Sequence, residues 1–224
     1  MALPWAASRL PLRGGNAPII VKGWHNPVGE SKRRHFRAAS PFLTVIYISS
    51  IHYQGADPQT VQKIFALLPP KGKTATFVDF GCGKGRVLIL ARQNGFKHVI
   101  GIEIAPELAT ICQRNLAKAP CTRDREQVQL IQSDAATFRP PPGVVCAFFF
   151  NPFHGPPLHR VISNLRENAE CSRSEVWVIY VNPVHLNSFL EQGFKIIHSL
   201  TYRQNPLAVI AHLSASTLGE DAHL

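Results

Sequence analysis

From Thr76 to Leu213 the chain alternates short apolar runs with segments of helical spacing. Thr76–Phe80, His98–Ile104, Val128–Gln132, Val144–Phe150 and Glu175–Val181 read as strands. Several lack the in-out alternation of a half-buried strand. Val144-Val145-Cys146-Ala147-Phe148-Phe149-Phe150 is apolar throughout, which suits a parallel strand covered on both faces. Helical patterns lie between them at Gly85–Asn94, Pro106–Ala117, Pro157–Asn168 and Val184–Gln192, so each βαβ unit has roughly the 30 residues it needs. Phe194–Tyr202 and Leu207–Leu213 are separated by Arg203-Gln204-Asn205-Pro206, a connection that allows only antiparallel pairing. The pattern predicts an α/β fold with a doubly wound, mostly parallel sheet ending in an antiparallel hairpin. Upstream, Val61, Ile64, Phe65, Leu67 and Leu68 predict a helix that Asp57 caps, with Pro58 at its first position. Pro69-Pro70 ends it.

Composition divides the chain. With 45% hydrophobic and 17% charged residues over 224 positions, a real core is available and a disordered chain is excluded. The net charge is +10. Residues 1–40 carry Arg9, Arg13, Lys22, Lys32, Arg33, Arg34 and Arg37 against Glu30, and so hold +6 of it. We read 1–40 as a basic, mostly irregular arm, 41–213 as one domain and 214–224 as a tail. The run Lys32-Arg33-Arg34-His35-Phe36-Arg37 could touch phosphate, or be solvated surface, and the acid-poor start could be an organelle transit segment. No apolar run approaches the roughly 20 residues that span a bilayer, so no membrane role is expected. Five cysteines without Cys-x-x-Cys spacing point to reduced thiols and a cytoplasmic location rather than a disulfide framework. The ten histidines form no metal-ligand pattern, so no metal is expected.

The chemistry concentrates where strands end. Phe77-Val78-Asp79-Phe80-Gly81-Cys82-Gly83-Lys84-Gly85-Arg86 runs from a strand through a glycine turn into a helix. The third glycine falls one residue early for the dinucleotide fingerprint, and Asp79 would repel a pyrophosphate. An acid there suits a ligand with an ammonium group and a sulfonium. Glu103 leaves the second strand, where a carboxylate accepts from ribose hydroxyls. Asp134 follows the third strand, where it can accept from an adenine amino group. Taken singly, the glycine loop is equally a tight turn, Glu103 a helix-start acid near Pro106, and Asp134 a turn cap. Their joint order describes an adenosine carrying an aminoacyl arm.

Asp79-x-Gly81-x-Gly83-x-Gly85, then Glu103, then Asp134-Ala135 resembles the class I S-adenosylmethionine-dependent methyltransferase family over about residues 53–213. The resemblance implies a seven-stranded sheet of order 3-2-1-4-5-7-6 and S-adenosyl-L-methionine as cofactor. It implies that Asp79 and the loop Gly81, Cys82, Gly83 and Gly85 hold the methionine part. It gives the ribose to Glu103, with Ile104 beside it, and the adenine to Asp134 and Ala135. In many members the lead-in to the first helix folds over the cofactor, which puts Tyr53 in the site.

After the fourth strand comes Asn151-Pro152-Phe153-His154, facing the glycine loop across the crevice of such a sheet. It resembles the Asn-Pro-Pro-aromatic motif of methyltransferases acting on amino or amide nitrogens, with one proline where that group usually has two. The resemblance implies that Asn151 and a neighbouring carbonyl accept from the target N–H groups while Phe153 packs on the acceptor. Asn151-Pro152 equally turns the chain, and Asn182-Pro183-Val184-His185 reads foremost as a structural turn. His154, Tyr53 or His185 could take a proton.

The chain is similar to bacterial class I methyltransferases with an Asn-Pro-Phe motif, and more loosely to non-SET protein lysine methyltransferases. The expected function is methyl transfer to an amine or amide nitrogen of a protein or small molecule. One alternative is RNA or DNA base methylation with the basic arm on phosphates; another is a catalytically inactive adenosine-binding scaffold. A nicotinamide oxidoreductase is expected against.

Overall fold

The computed structural model describes residues 19–20, 55–122, 127–202 and 205–214. The arm apart from Ile19–Ile20, the apolar stretch Phe42–Ile51, Tyr53 and most of the tail lie outside the described residues. Helix α1 (Pro58–Leu67) starts as its sequence predicts: Asp57 Oδ2 accepts from the Thr60 amide at 2.9 Å and the Thr60 hydroxyl at 2.8 Å. The double proline ends it, and Pro70 then starts a four-residue helix, α2 (Pro70–Lys73), which the sequence reading did not place.

The alternation follows as β1 (Thr76–Phe80), α3 (Arg86–Gln93), β2 (Val99–Glu103), α4 (Pro106–Lys118), β3 (Val128–Gln132), β4 (Val145–Phe149), α5 (Pro156–Ser172), β5 (Val176–Val181), α6 (Asn187–Leu190), β6 (Lys195–Tyr202) and β7 (Asn205–Leu213). The order across the sheet is β3-β2-β1-β4-β5-β7-β6. The first five strands are parallel, and β7 runs antiparallel to both β5 and β6. This is the expected topology. Beyond β6 the two-residue strand Ile19–Ile20, from the arm read as mostly irregular, adds a parallel edge to the sheet.

Three boundaries differ from expectation. Helix α5 runs on to Ser172 because Leu165 and Ala169 stay buried and Arg166 pairs with Glu170 at 2.8 Å. It stops where Arg173 turns left-handed (φ 48°). Helix α6 keeps only four residues, because Asn182 (φ 51°) and the Val184 amide bonded to the Asn182 carbonyl at 2.8 Å hold the preceding segment in a turn. Strand β7 starts at Asn205, and Pro206 pairs with Thr201 at a register shift, where its missing N–H is tolerated.

Strands β1, β2, β4 and β5 are buried almost throughout. Alternation along β1 sends Phe77 to one core, with Phe65, Phe96 and Phe148, and Val78 and Phe80 to the other, with Phe149, Tyr180 and Phe189. Edge-on and tilted ring pairs such as Phe65–Phe77 at 5.6 Å and Phe77–Phe96 at 4.9 Å tie α1 and β1 together. The chain leaves β1 towards β2 and returns after β3 to β4 on the other side, so the winding reverses between β1 and β4. Sheets of this kind take their ligands at such a reversal, outside the carboxyl ends of the strands.

Candidate cofactor and acceptor site

All the predicted acids lie along this carboxyl rim. Asp79 is the penultimate residue of β1, Glu103 the last of β2, and Asp134 stands two residues past β3. They are not equivalent. Asp79 is 3% exposed and has no hydrogen-bond donor among the described residues. Burial, and secondarily the Glu103 charge, pushes its carboxyl well above the usual carboxylate range. A buried carboxylate without a partner is costly unless something cationic completes it. An ammonium group from a ligand would do so.

Glu103 is also buried, and both of its oxygens are engaged. Oε2 accepts from the Gly83 amide at 2.8 Å and Oε1 from the Ala105 amide at 2.9 Å. Each oxygen keeps a lone pair for a hydroxyl donor. Asp134 Oδ1 accepts from the Ala136 amide at 2.9 Å and so caps the short turn Ala135–Thr137, the structural role open to it from sequence, while Oδ2 takes no hydrogen bond among the described residues.

The glycine loop supplies close approach rather than donors. The Gly81 and Cys82 amides both bond the Ile102 carbonyl at 2.9 Å, Gly83 bonds Glu103, and Gly85 bonds the Cys82 carbonyl at 2.9 Å. A pyrophosphate would need those amides free; a cationic aminoacyl group does not. Gly81 (φ 80°) and Gly85 (φ 81°) adopt the left-handed region, and a Cβ on Gly85 would stand 2.6 Å from Cys112 Sγ. A hydrogen bond with Cys112, then burial and the nearby acids, raises Cys82, which stays a neutral thiol.

Across this reversal, Asn151 sits two residues past β4 with φ 44°. This turn packs directly on the loop: a Cβ on Gly81 would lie 2.4 Å from Pro152 Cβ. The two motifs, 70 residues apart by subtraction of their numbers (151 − 81), therefore meet at one point. Asn151 Oδ1 accepts from the Tyr180 hydroxyl at 2.7 Å, and Asn151 Nδ2 donates to the Asn182 carbonyl at 2.6 Å. Phe153 is half-buried and packs against the core that holds Phe80 and Phe149. His154 and His185 face each other with ring centroids 5.7 Å apart, which brings together the turns after β4 and β5.

Sequence reasoning missed two residues. Tyr180 lies in an apolar strand run, and nothing local marks its hydroxyl as a partner of Asn151. Asn164 lies inside α5, is 2% exposed, and donates from Nδ2 to the Ala136 and Phe138 carbonyls at 3.1 and 2.9 Å. It ties the turn that Asp134 caps to the helix behind it. Among the described residues, no group of three His, Cys, Asp or Glu side chains could hold a metal ion, and no helix is long and apolar enough to cross a membrane.

Comparisons with known proteins bear on the fold and the domain. The family described as "Methyltransferase domain" matches residues 77–171, from β1 through α5. A 72-residue stretch is 31% identical to the adenine nucleotide translocase lysine N-methyltransferase of Mus musculus, covering 32% of this chain and 31% of that protein. The match therefore spans about a third of the length of that curated relative. Among solved structures, the glycopeptide N-methyltransferase MtfA complexed with S-adenosyl-L-methionine superposes with a TM-score of 0.57 at 11% identity, over 72% of this chain and 96% of that one. Magnesium protoporphyrin IX methyltransferase from Synechocystis PCC 6803, with bound S-adenosylmethionine, superposes with a TM-score of 0.52 at 18% identity, over 79% and 98%. At these identities the superpositions speak for the fold, and the matched domain carries the glycine loop, the acids and the Asn-Pro-Phe turn. Residues 77–171 thus match a methyltransferase domain, set in a chain that has the fold of S-adenosylmethionine-dependent methyltransferases.

Proposed function

We propose that this chain transfers the S-adenosylmethionine methyl group to an amine nitrogen, with a protein side-chain amine as the favoured acceptor and a small-molecule amine as the other. The observation that carries the reading is the packing of the Asn151-Pro152 turn on Gly81, which brings that turn against the loop assigned to the methionine part. The partial match to a lysine N-methyltransferase supports the choice of nitrogen. We assign the activity to residues 41–213.

The cofactor supplies a sulfonium methyl for in-line displacement, and the protein's task is alignment. In this reading Asp79 receives the ammonium group, Glu103 and the neighbouring Ile104 the ribose, and Asp134 with Ala135 the adenine. Asn151 Oδ1 accepts an acceptor N–H and stabilises the positive charge that develops on nitrogen. Phe153 offers an apolar wall. A lysine acceptor must first lose a proton, since free lysine has a pKa near 10.4. His154 and His185, whose ring centroids lie 5.7 Å apart, take it in this reading. The base-methylation reading rests on the arm at 1–40, most of which lies outside the described residues.

The test is tritiated S-adenosylmethionine incubated with the protein and cell lysate, with protease and nuclease controls. Label that survives nuclease, is lost to protease and disappears with Asn151→Ala supports the proposal. Label lost to nuclease alone refutes it.

A further inference from the structure

Asn151 carries the proposed acceptor chemistry, yet an asparagine amide has two ends of nearly the same shape and opposite hydrogen-bonding character. Only one orientation offers oxygen to an incoming N–H. Two contacts bear on this. Asn151 Nδ2 donates to the Asn182 carbonyl at 2.6 Å, and Oδ1 accepts from the Tyr180 hydroxyl at 2.7 Å. The Tyr180 oxygen in turn accepts from the His185 amide at 3.3 Å, so its own proton is directed at Asn151. A flipped amide would set two oxygens against each other at Asn182 and leave the Tyr180 proton facing an NH2 group.

We propose that Tyr180 is a positioning residue for methyl transfer, fixing the Asn151 amide with one lone pair of Oδ1 held and the other presented to the acceptor. The inference rests on the N-methylation reading above. Tyr180 is suited to the task. It is 1% exposed and packed by Phe149 at 5.9 Å and Phe189 at 5.6 Å, so the ring cannot swing away. Burial pushes its phenol up, so it remains a donor. Its backbone belongs to β5, which pairs with β4 in the register Phe149–Tyr180. The sheet itself therefore sets the hydroxyl at the height of the turn that follows β4. Asn151 and Asn182 both adopt left-handed backbone (φ 44° and 51°), which brings the two turns close enough to clasp. Strain of this kind in non-glycine residues is sustained where surrounding contacts over-determine it.

Tyr180→Phe removes the hydroxyl and keeps the ring. The full chain is assayed with tritiated S-adenosylmethionine and nuclease-treated lysate protein as acceptor, alongside Asn151→Ala and the double variant. Tyr180→Phe is expected to lower the transfer rate at saturating cofactor about tenfold, the scale of one hydrogen bond. Cofactor Kd should stay within twofold and Tm near that of the parent. A merely structural defect would move Kd and Tm together with the rate. In the Asn151→Ala background, Tyr180→Phe should cost nothing further, because its effect passes through Asn151. Additive losses, or an unchanged rate in Tyr180→Phe, overturn the proposal. If Asn151→Ala alone transfers at the parent rate, the N-methylation reading fails instead, and the single-variant arm shows it. A second readout needs no acceptor: solvent exchange of the Asn151 side-chain amide protons by 15N NMR in the cofactor complex. Exchange at least tenfold faster in Tyr180→Phe supports the clasp, and unchanged exchange refutes it.

Discussion

Replacing Asp79 with asparagine separates what this carboxylate does for binding from what it does for stability, and the two effects have opposite signs. In the ligand-free protein the group is buried without a donor among the described residues, and its carboxyl is raised by burial first and Glu103 second. A raised folded-state value means that stability is full at acid pH and is lost as pH rises through it. At neutral pH the buried carboxyl is thus a net cost relative to the unfolded chain, and Asp79→Asn, which cannot ionise and keeps the shape, should raise the Tm of the free protein. Binding moves the other way. A hydrogen bond to a charged group contributes about 1.5–3 kcal/mol, and its loss weakens S-adenosylmethionine about 10- to 150-fold. At a concentration of 100 times the parent Kd, the parent gains about 2.7 kcal/mol. A variant weakened about 100-fold sits at its own Kd and gains only RT ln 2, about 0.4 kcal/mol. For a chain of this size 1 kcal/mol moves Tm by about 2–4 °C, so the parent should shift by about 5–11 °C and the variant by about 1–2 °C. Differential scanning fluorimetry with and without cofactor, backed by calorimetric titration, reads both numbers. A variant that keeps the parent's ligand shift, or whose free form melts lower, would refute the reasoning. On the parent, cofactor affinity should also decline on acidification at a pH above the usual carboxylate range, since protonated Asp79 cannot pair with an ammonium.

Three further outcomes test other joints of the structure. Gly81→Ala places a Cβ 2.4 Å from Pro152 in a left-handed backbone position; it should cost about 2 kcal/mol or more by urea denaturation and suppress methyl transfer, and unchanged behaviour would deny the contact. Asn164→Ala strips the Ala136 and Phe138 carbonyls of their donor and should cost about 1–3 kcal/mol, with weaker cofactor binding because the Asp134 turn loosens; a loss of stability with undiminished affinity would refute the link to that turn. His212 stacks on Trp177 at 4.1 Å, and burial lowers its pKa despite Glu175 nearby. The folded state therefore resists protonating it, so this contribution is intact above about pH 6.5 and is lost as pH falls from there towards the lowered value. Tm measured from pH 8 to pH 5 should fall less steeply in His212→Gln, and parallel curves would contradict this.

The sheet was legible because its strands are continuous apolar runs and its candidate site acids stand where those runs stop. Asp79, Glu103 and Asp134 needed only the strand boundaries to be located, and these came within a residue. Asp57 with Pro58 announced the first helix for the same local reason. What stayed hidden depends on pairing between distant segments. The Tyr180 hydroxyl gains meaning only when β4 and β5 lie in the register Phe149–Tyr180, and the donors of Asn164 only when α5 covers the turn after β3. The glycine loop shows the limit from the other side. Its glycines lie tight against Pro152 and Cys112, and that its amides are consumed by Ile102 and Glu103 follows from the β1–β2 pairing rather than from the loop. The turn Asn182–His185, read foremost as structural, supplies both the carbonyl and the amide that frame Asn151 and Tyr180.

The account depends most on the transferable methyl group lying between the glycine loop and the Asn151-Pro152-Phe153 turn. Binding S-adenosylmethionine labelled with 13C at that methyl to isotope-labelled protein, and recording isotope-filtered nuclear Overhauser contacts from it, examines this directly. Contacts to the Asn151 side-chain amide and the Phe153 ring are predicted. A saturated complex whose methyl reports neither residue would contradict the placement of the acceptor site.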